Sequence, residues 1–498
     1  MAKSINPATE EVIQEYKDFS EDRVESILQQ ADHAYRDGVK VSAEQLYKAA
    51  EHLKEKKDEF GALITSEMGK PITQSIAEVE KCAQLCEYYA KNAGSFLEPR
   101  IIQTESHKSY VRYDPIGPVL AIMPWNFPFW QIFRAAVPAL SAGNPVILKH
   151  ASNVTGSAFA VQEVFRFIGL EREFHTVVIP GNKMERLISD PAIRGVTLTG
   201  SEAAGRSVAK LAGQNLKKCV LELGGSDPFI VLADADVQKA ARTAAQARCI
   251  NSGQSCIAAK RFIIESSIAE SFIEAFAAAL KDLKVGDPTS ENTEIGPLAR
   301  DDLRNDLHDQ VQRSVQEGAR LILGGEKKNG KGYFYETTLV STDSAYNVAL
   351  QDETFGPLAA VIQAKDPDDA VEIANNSRFG LGGSLWTSDL DRAEELCSRV
   401  ETGSITVNDL LRSDVRMPFG GIKDSGFGRE LGQEGILEFV NHKSVRINPS
   451  SRWISDRALK SLGGFRSFHR KRRISPFVSR VWPGAVFRCR ASHSAILI

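Results

Sequence analysis

Three side chains stand where a fold could use them for nucleophilic chemistry. Cys256 lies in the stretch NSGQSC, Glu222 lies in LELGG directly before two glycines, and Asn126 lies between two prolines in PWNFP. A thiolate attacks carbonyl carbons, a carboxylate of raised pKa can activate water, and a fixed amide N–H can stabilise an oxyanion. Each residue also has an ordinary structural alternative: a passive loop cysteine, an outward-facing acid on an edge strand, and an Asx-turn. Local context alone leaves these alternatives open.

The residues around Cys256 predict an accessible thiol. Ser252, Gly253 and Ser255 are too small to cover its sulfur, and backbone N–H groups of the following residues could face it. Cys249 could form a redox pair with Cys256, although spacing alone does not show that the two thiols meet. The seven cysteines are odd in number and lack CxxC or Cys/His spacing. This usage argues against a disulfide framework or a zinc site and favours a cytosolic setting.

Alternating apolar runs and helix-like segments indicate how these residues are positioned. Runs typical of buried strands occur at residues 119–123, 145–149, 176–179, 195–199 and 228–232. Strands that alternate with helices predict βαβ units in a parallel, doubly wound sheet. A second α/β domain is expected after about residue 224, with strands at 260–265, 319–325 and 358–363.

Size and composition define the class of protein. At 498 residues the chain exceeds what one hydrophobic core organises, so two or three domains are expected. Hydrophobic residues make up 42% and charged residues 25%, as in ordinary globular proteins. The opening stretch MAKSINPATEEVIQ lacks the apolar h-region of a secretion signal. The longest uncharged run, residues 115–133, contains four prolines, which argues against a membrane span. We therefore expect a cytoplasmic protein without a membrane partner.

Six short motifs occur in the order found in a known family. They are PWNFP at 124–128, LTGSEAAG at 198–205, LELGG at 221–225, GQSC at 253–256, ETFGP at 353–357 and PFGGIKDSGFGRELG at 418–432. With them the chain resembles the aldehyde dehydrogenase superfamily from about residue 4 to residue 447. The separation of Glu222 and Cys256, 34 residues, is also the family's.

The resemblance implies an α/β fold of the aldehyde dehydrogenase type. Its parts would be a Rossmann-type cofactor domain at 1–105 and 119–223, an α/β catalytic domain at 224–424, and a small β oligomerisation ribbon at 106–118 and 437–447. The family implies a homodimer or homotetramer.

The resemblance also implies roles for the three reactive residues. Cys256 would attack the aldehyde carbon as a thiolate, while the Asn126 side chain and the Cys256 backbone N–H hold the oxyanion. Hydride transfer to a nicotinamide would leave a thioester, and Glu222 would activate water to hydrolyse it. These steps require no metal.

A dinucleotide site follows from the same resemblance. Lys149 matches the lysine that contacts the adenosine ribose. The remaining matches are Gly200, Ser201 and Gly205 at the pyrophosphate turn, Glu353 and Phe355 at the nicotinamide ribose and ring, and Trp125 in the pocket wall. Many NAD-preferring relatives carry a glutamate at the position of Ser152, and a serine removes its repulsion of a 2′-phosphate, so NADP is favoured over NAD. His150 replaces the family's proline and is interpreted as a turn residue, not a catalytic base.

Arg134 is the best indicator of the substrate. It follows Asn126 by eight residues, where many family members carry an aromatic or apolar residue, and arginine can bind a carboxylate through two hydrogen bonds. Succinate-semialdehyde dehydrogenases of the family have arginine there and a serine that matches Ser413, and Arg248 is a weaker third candidate. The chain resembles an NADP-dependent microbial branch of these enzymes, which predicts oxidation of succinic semialdehyde.

Other functions stay open at this point. One is an NAD-preferring or broader enzyme that oxidises glutarate semialdehyde or aliphatic aldehydes, and another is a catalytically silent structural protein of the same fold. Residues 448–498 hold eleven Lys/Arg and one acidic residue, whereas the preceding chain has a net charge of −13. We interpret this tail as a non-native, disordered extension, with a nucleic-acid or membrane-surface arm as the alternative. The acidic body of the chain opposes nucleic-acid binding.

Overall fold

The computed structural model describes residues 1–449, so the predicted tail lies outside the described residues from Ser450 onward. The helices are α1 (Glu21–Asp37), α2 (Ala43–Glu55), α3 (Lys57–Met68), α4 (Ile72–Phe96), α5 (Trp130–Ser141), α6 (Thr155–Phe167), α7 (Met184–Ser189), α8 (Glu202–Gln214), α9 (Val237–Cys249), α10 (Ala269–Asp282), α11 (Asp301–Gln316), α12 (Val348–Gln351), α13 (Pro367–Asn375), α14 (Leu390–Cys397) and α15 (Gly432–Leu437). The strands are β1 (Ala2–Ile5), β2 (Val12–Tyr16), β3 (Arg100–Ile101), β4 (Lys108–Pro115), β5 (Val119–Met123), β6 (Val146–His150), β7 (Phe174–Thr176), β8 (Gly195–Thr199), β9 (Lys218–Glu222), β10 (Asp227–Val231), β11 (Ala259–Glu265), β12 (Arg320–Leu323), β13 (Thr338–Ser341), β14 (Leu358–Ala364), β15 (Phe379–Gly380), β16 (Ser384–Trp386), β17 (Thr406–Val407), β18 (Ile422–Lys423), β19 (Gly426–Phe427) and β20 (Val440–Ile447).

The first large sheet has the strand order β19-β9-β8-β5-β6-β7, and β9 to β7 run parallel. From β5 the chain proceeds outward through β6 and β7, then returns to the other side of β5 for β8 and β9. Ligands bind at such a reversal, beyond the carboxyl ends of the strands. Asn126 follows β5, Gly200 follows β8, and Glu222 ends β9. The topology therefore brings three distant motifs to one sheet edge.

The second large sheet has the order β12-β13-β14-β11-β10-β16-β17 and is parallel except for β12. Gly225 precedes β10, Cys256 precedes β11, and Phe355 precedes β14. Because these strands are parallel neighbours, the residues that precede them share the amino-terminal edge of this sheet.

Helices cover both faces of each large sheet. In the first sheet Leu120 and Ile147 belong to one core cluster, whereas Ala121 and Leu148 belong to another. Successive strand residues thus point into opposite cores, which explains why these strands are continuous apolar runs. The predicted doubly wound α/β class is confirmed.

One predicted strand is displaced. The run expected at 176–179 pairs instead as β7, Phe174–Thr176, and Val177–Ile179 follow it as buried chain. The run is apolar because its side chains are buried. It is followed by Pro180, which has no backbone N–H to donate to a neighbouring strand. The segments 106–118 and 437–447, which are expected to form the ribbon, contain β4 and β20, and these strands form a three-stranded sheet in the order β20-β4-β3.

The described residues divide into two units, residues 1–103 with 109–445, and residues 104–108 with 446–449. Within the second unit, Arg446 Nη1 lies 3.6 Å from Glu105 Oε1. The predicted boundary between cofactor and catalytic domains stays a prediction. Among residues 1–449 no helix combines the length and apolar character needed to cross a bilayer.

Candidate active site

Cys256 ends a tightly packed loop between α9 and β11. Asn251, Ser252 and Gly253 have φ values of 53°, 57° and 76°, a left-handed conformation that is costly for side chains other than glycine. A Cβ on Gly253 would lie 2.3 Å from the carbonyl carbon of Gly356, so only glycine fits. The loop is therefore held in a strained shape against the ETFGP turn.

The small residues of this loop have a second role besides access. Ser252, Gly253 and Ser255 are buried, so their size also serves the close packing of the loop, while Ser255 lines a cavity together with Cys256. Cys256 itself is partly buried and lines a cavity. Burial raises the pKa of its thiol to about 12, opposed by the positive charges of Arg134 and Lys260. These two cations are therefore the groups that favour the thiolate form of Cys256.

Lys260 holds the cysteine loop in place. Its buried Nζ donates to the carbonyls of Ser255, Cys256 and Ala258 at 3.0, 2.9 and 3.2 Å. The same atom lies 3.7 Å from Glu353 Oε1. One buried ammonium therefore joins the nucleophile's backbone to the ETFGP turn.

Asn126 is bound to the cysteine loop, and the Cys256 backbone supplies a further N–H donor. Asn126 Nδ2 donates to the Gln254 carbonyl at 3.0 Å, and its Oδ1 accepts from Gln131 Nε2 at 3.1 Å. These contacts orient the amide and leave its second N–H free. Within residues 1–449 the backbone N–H of Cys256 has no acceptor. This arrangement can stabilise an oxyanion on an atom bound to Cys256.

Glu222 is a buried carboxylate without a hydrogen-bond partner. It is 2% exposed, and neither carboxylate oxygen has a partner among residues 1–449. Burial, and secondly the charge of Glu430, raises its pKa well above the ordinary value. A Cβ on Gly420 would lie 2.7 Å from Glu222 Oε1, so the glycine-rich segment leaves space for this group. A raised pKa suits a general base.

The ETFGP turn presents the residues matched to the nicotinamide end of a cofactor. Glu353 Oε1 accepts from the Gly225 N–H at 2.9 Å. The Trp125 and Phe355 rings meet edge to face, with centroids 5.6 Å apart and an interplanar angle of 81°. Residues from both large sheets therefore form one wall.

Lys149 and Ser152 line a narrow cleft beyond β6, together with Val177 and Ile179. Burial lowers the pKa of Lys149, and desolvation is the sole cause of that shift. Because no carboxylate within residues 1–449 compensates this ammonium, the cleft fits an anionic group such as a 2′-phosphate. His150 is buried, its Nδ1 lies 3.1 Å from the Met123 carbonyl, and burial lowers its pKa to about 4, which agrees with a structural role.

The residues of the predicted pyrophosphate turn have two different roles, one at the start of α8 and one in packing. Ser201 caps α8 by accepting from the Ala204 N–H at 3.4 Å, and Gly200 has space around its Cα. Gly205 is required for packing instead, since a Cβ there would lie 2.5 Å from a Leu223 methyl carbon. The helix N-terminus after β8 can therefore approach a phosphate through Gly200 and Ser201.

A cavity of about 270 Å³ extends from Cys256. Its lining residues are Lys70, Gln74, Ala77, Glu78, Lys81, Phe127, Trp130, Gln131, Arg134, Ile250, Ser255, Cys256, Ile257, Leu411, Arg412, Ser413 and Phe419. The predicted substrate residues Arg134 and Ser413 are both among them. Four of these side chains are cationic and one is a carboxylate, so the cavity favours an anionic ligand.

Arg134 forms a buried ion pair that the sequence did not reveal. Its Nε pairs with Glu430 Oε2, and its guanidinium carbon lies 4.5 Å from the centroid of the Phe419 ring. Its buried Nη2 has no partner among residues 1–449. The arginine thus retains donor capacity towards the cavity.

Arg248 does not reach the cavity. It is fully buried and donates to the backbone carbonyls of Ala259, Gly253 and Thr354 at 3.0, 2.6 and 3.3 Å. The structure thus contradicts both the substrate role and the solvent-facing alternative for this residue. Its guanidinium connects the cysteine loop to the start of β11 and to the ETFGP turn.

The sequence interpretation missed three charged residues, Lys81, Lys260 and Glu430. Glu430 lies within the quoted glycine-rich motif, but its partner is distant in the chain. Lys81 lies on α4. Helical spacing predicts which side of that helix is buried, but it does not predict which residues line a cavity. No cluster of His, Cys, Asp and Glu able to hold a metal occurs within residues 1–449, and the six cysteines described are free thiols.

The chain is similar in sequence to known proteins of one family. The model of the aldehyde dehydrogenase family matches residues 1–445. The succinate semialdehyde dehydrogenase [NAD(P)+] Sad of Escherichia coli K12 is 45% identical over 449 residues, covering 89% of this chain and 97% of that protein. The succinate-semialdehyde dehydrogenase [NADP(+)] of Mycobacterium avium is 44% identical over 457 residues, covering 90% and 97%.

Solved structures show the same fold. The succinic semialdehyde dehydrogenase of Streptococcus pyogenes, in complex with NADP+, superposes with a TM-score of 0.88 at 34% identity and covers 90% of this chain and 100% of that one. An NAD-dependent aldehyde dehydrogenase of Sinorhizobium meliloti gives a TM-score of 0.87 at 30% identity, with coverages of 91% and 93%.

Proposed function

This chain belongs to the aldehyde dehydrogenase family, and we propose that it oxidises succinic semialdehyde to succinate with NADP as the hydride acceptor. The observation that supports this substrate is the cavity, which is lined by both Cys256 and Arg134. With the aldehyde carbon at the sulfur, a distal carboxylate would extend along that cavity to Arg134, which can bind it. The names of the relatives at 44–45% identity support the same substrate.

We assign the chemistry to the residues around the sulfur. The Cys256 thiol gives its proton to solvent and the thiolate adds to the aldehyde carbon, while the free N–H of Asn126 and the backbone N–H of Cys256 hold the resulting oxyanion. A bound nicotinamide would supply the hydride acceptor, and loss of hydride from the adduct would leave an acyl group on the Cys256 sulfur as a thioester. Glu222 takes a proton from water, the hydroxide attacks the thioester, and the carbon–sulfur bond breaks to release the acid and the thiolate.

We assign the cofactor to the residues of the first sheet and the ETFGP turn. In the described part of the chain Lys149 is an ammonium without a carboxylate partner, and Ser152 adds no negative charge beside it. These two features support NADP, because its 2′-phosphate supplies the missing counter-charge. Glu353 and Phe355 would contact the nicotinamide half, beside Trp125.

Initial rates test this function. We expect kcat/KM with NADP to be about 30- to 1000-fold higher for succinic semialdehyde than for butanal, because only the former can pair with Arg134. NAD should give a lower kcat/KM than NADP. Equal values for the two aldehydes would contradict the substrate, and a Cys256→Ala protein of parental rate would contradict the mechanism.

We also propose a cytoplasmic homo-oligomer with the predicted domain bounds. Strands β4 and β20 pair in a separate small sheet, and Lys443 forms an ion pair with Asp114 across them. This supports a ribbon that other subunits extend. Light scattering of the purified protein measures the oligomeric state, and a monomer would contradict the proposal.

A further inference from the structure

Lys81 is a second cation in the substrate cavity. It lies on α4, is partly buried and lines the cavity with Arg134 and Ser413. Its Nζ donates to Ser413 Oγ at 2.7 Å and lies 4.4 Å from the centroid of the Trp130 ring. An ammonium has three donors, so two N–H bonds stay available to a ligand.

Each carboxylate near Lys81 already has other partners. Glu78, on the same helix, pairs with Lys70. Its Oε1 also accepts the backbone N–H groups of Phe129 and Trp130 at 2.8 and 2.9 Å.

The second carboxylate near Lys81 is that of Asp414, which follows Ser413 in the loop. It accepts from Arg416 Nη2 at 2.6 Å and from Arg416 Nε at 2.9 Å. Within residues 1–449 no carboxylate oxygen lies within 4 Å of the Lys81 nitrogen. A partly buried ammonium without its own counter-ion is costly, and an anionic ligand removes that cost.

The hydrogen bond from Lys81 also determines what Ser413 can do. Because the ammonium can only donate, Ser413 Oγ is the acceptor, and its single hydrogen must point elsewhere. Ser413 lines the cavity, so that hydrogen is available to a carboxylate oxygen there. Lys81 therefore acts both as a charge and as the group that orients the hydroxyl.

We propose that Lys81 binds the distal carboxylate of the aldehyde substrate directly, beside Arg134 and Ser413, and so helps to determine the enzyme's preference for an aldehyde that carries an acid. This inference rests on the proposed function. The subsite then has three donors of different kinds around one carboxylate: a guanidinium, an ammonium and a hydroxyl. A carboxylate bound to several charge-assisted donors is held more tightly than one bound to arginine alone.

The charge of Lys81 gives the subsite a pH dependence. Burial, and secondly the positive charge of Arg134, lowers the pKa of Lys81 to about 8, whereas Cys82, Glu78 and Asp414 act in the opposite direction. Above that pH the free enzyme loses the ammonium, so the affinity for a carboxylate falls. An aldehyde without a carboxylate makes no contact with this charge, so its affinity does not depend on the protonation of Lys81.

The test is the ratio of kcat/KM for succinic semialdehyde to kcat/KM for butanal, followed from about pH 6 to about pH 10. The ratio removes changes in Cys256 and Glu222, which both substrates share. The variants are Lys81→Gln, Lys81→Arg and, as a matched control, Lys91→Gln, which replaces an exposed lysine of the same helix.

In the parent enzyme we expect the ratio to fall as pH rises through about 8. Lys81→Gln should lower the ratio about 10- to 100-fold, mainly through KM, and make it independent of pH. Lys81→Arg should restore most of the ratio and abolish its fall at high pH, because arginine stays charged. Lys91→Gln should match the parent.

Two results would overturn the role of Lys81: an unchanged ratio in Lys81→Gln, or an equal loss with both aldehydes. If Lys81→Gln does not fold, Lys81→Met takes its place, and an unchanged ratio in that variant overturns the role. A parental ratio near one would contradict the proposed substrate itself, and it is thereby distinguished from a failure of the role of Lys81.

Discussion

The pairing of Arg134 with Glu430 determines how the substrate role of the arginine must be tested. Arg134→Met alone leaves Glu430 buried without its cation, and breaking a buried pair in this way costs about 3–5 kcal/mol. The freed carboxylate would also act on Glu222, because the charge of Glu430 is the second cause of the raised Glu222 pKa. The single variant would therefore lose activity with every aldehyde.

The double variant Arg134→Met/Glu430→Gln removes both charges and keeps the volume of the side chains. Loss of a charge-assisted pair with the substrate carboxylate costs about 2–4 kcal/mol, or about 30- to 1000-fold in kcat/KM for succinic semialdehyde. Butanal makes no such contact, so its kcat/KM should change by less than about threefold.

The assay is the initial rate of NADPH formation with each aldehyde. Glu430→Gln alone is the control, because it keeps Arg134 and should preserve the preference for the semialdehyde. It should also move the rise of activity with pH to lower values, since one cause of the raised Glu222 pKa is gone. Equal losses for both aldehydes in the double variant would refute carboxylate binding by Arg134.

Three further variants test other parts of the site. Ser152→Glu should shift the NADP/NAD ratio of kcat/KM about 10- to 100-fold towards NAD, because the new carboxylate repels a 2′-phosphate; an unchanged ratio would exclude this position from cofactor choice. Glu222→Gln should slow turnover by at least about 100-fold while stopped-flow absorbance still shows a burst of NADPH, since hydride transfer precedes hydrolysis. The absence of that burst would place Glu222 in an earlier step. Gly253→Ala should lower the free energy of unfolding by about 2–4 kcal/mol, since its Cβ meets Gly356 at a positive φ; chemical denaturation measures this, and parental stability would refute the packing argument.

Much of the fold could be predicted because its signals are local. The strands β5, β6, β8, β10, β11 and β14 are short apolar runs, and their alternation with helices indicates a parallel sheet. The predicted strand at 176–179 was displaced because an apolar run reports burial, and burial does not require pairing. The packing of Ser252 and Ser255 was missed for a related reason, since a small residue can reflect either access or close packing.

The sequence by itself determined which residues are the candidate nucleophile, base and oxyanion donor, because Cys256, Glu222 and Asn126 lie in short motifs whose order identifies the family. Only the tertiary structure decided which charges face the substrate. It pairs Arg134 with Glu430, places Lys81 in the cavity and assigns Arg248 to backbone carbonyls. The physical reason is that the ion pairs and hydrogen bonds of a buried charge depend on residues distant in the chain. Residue type and spacing do not identify those residues.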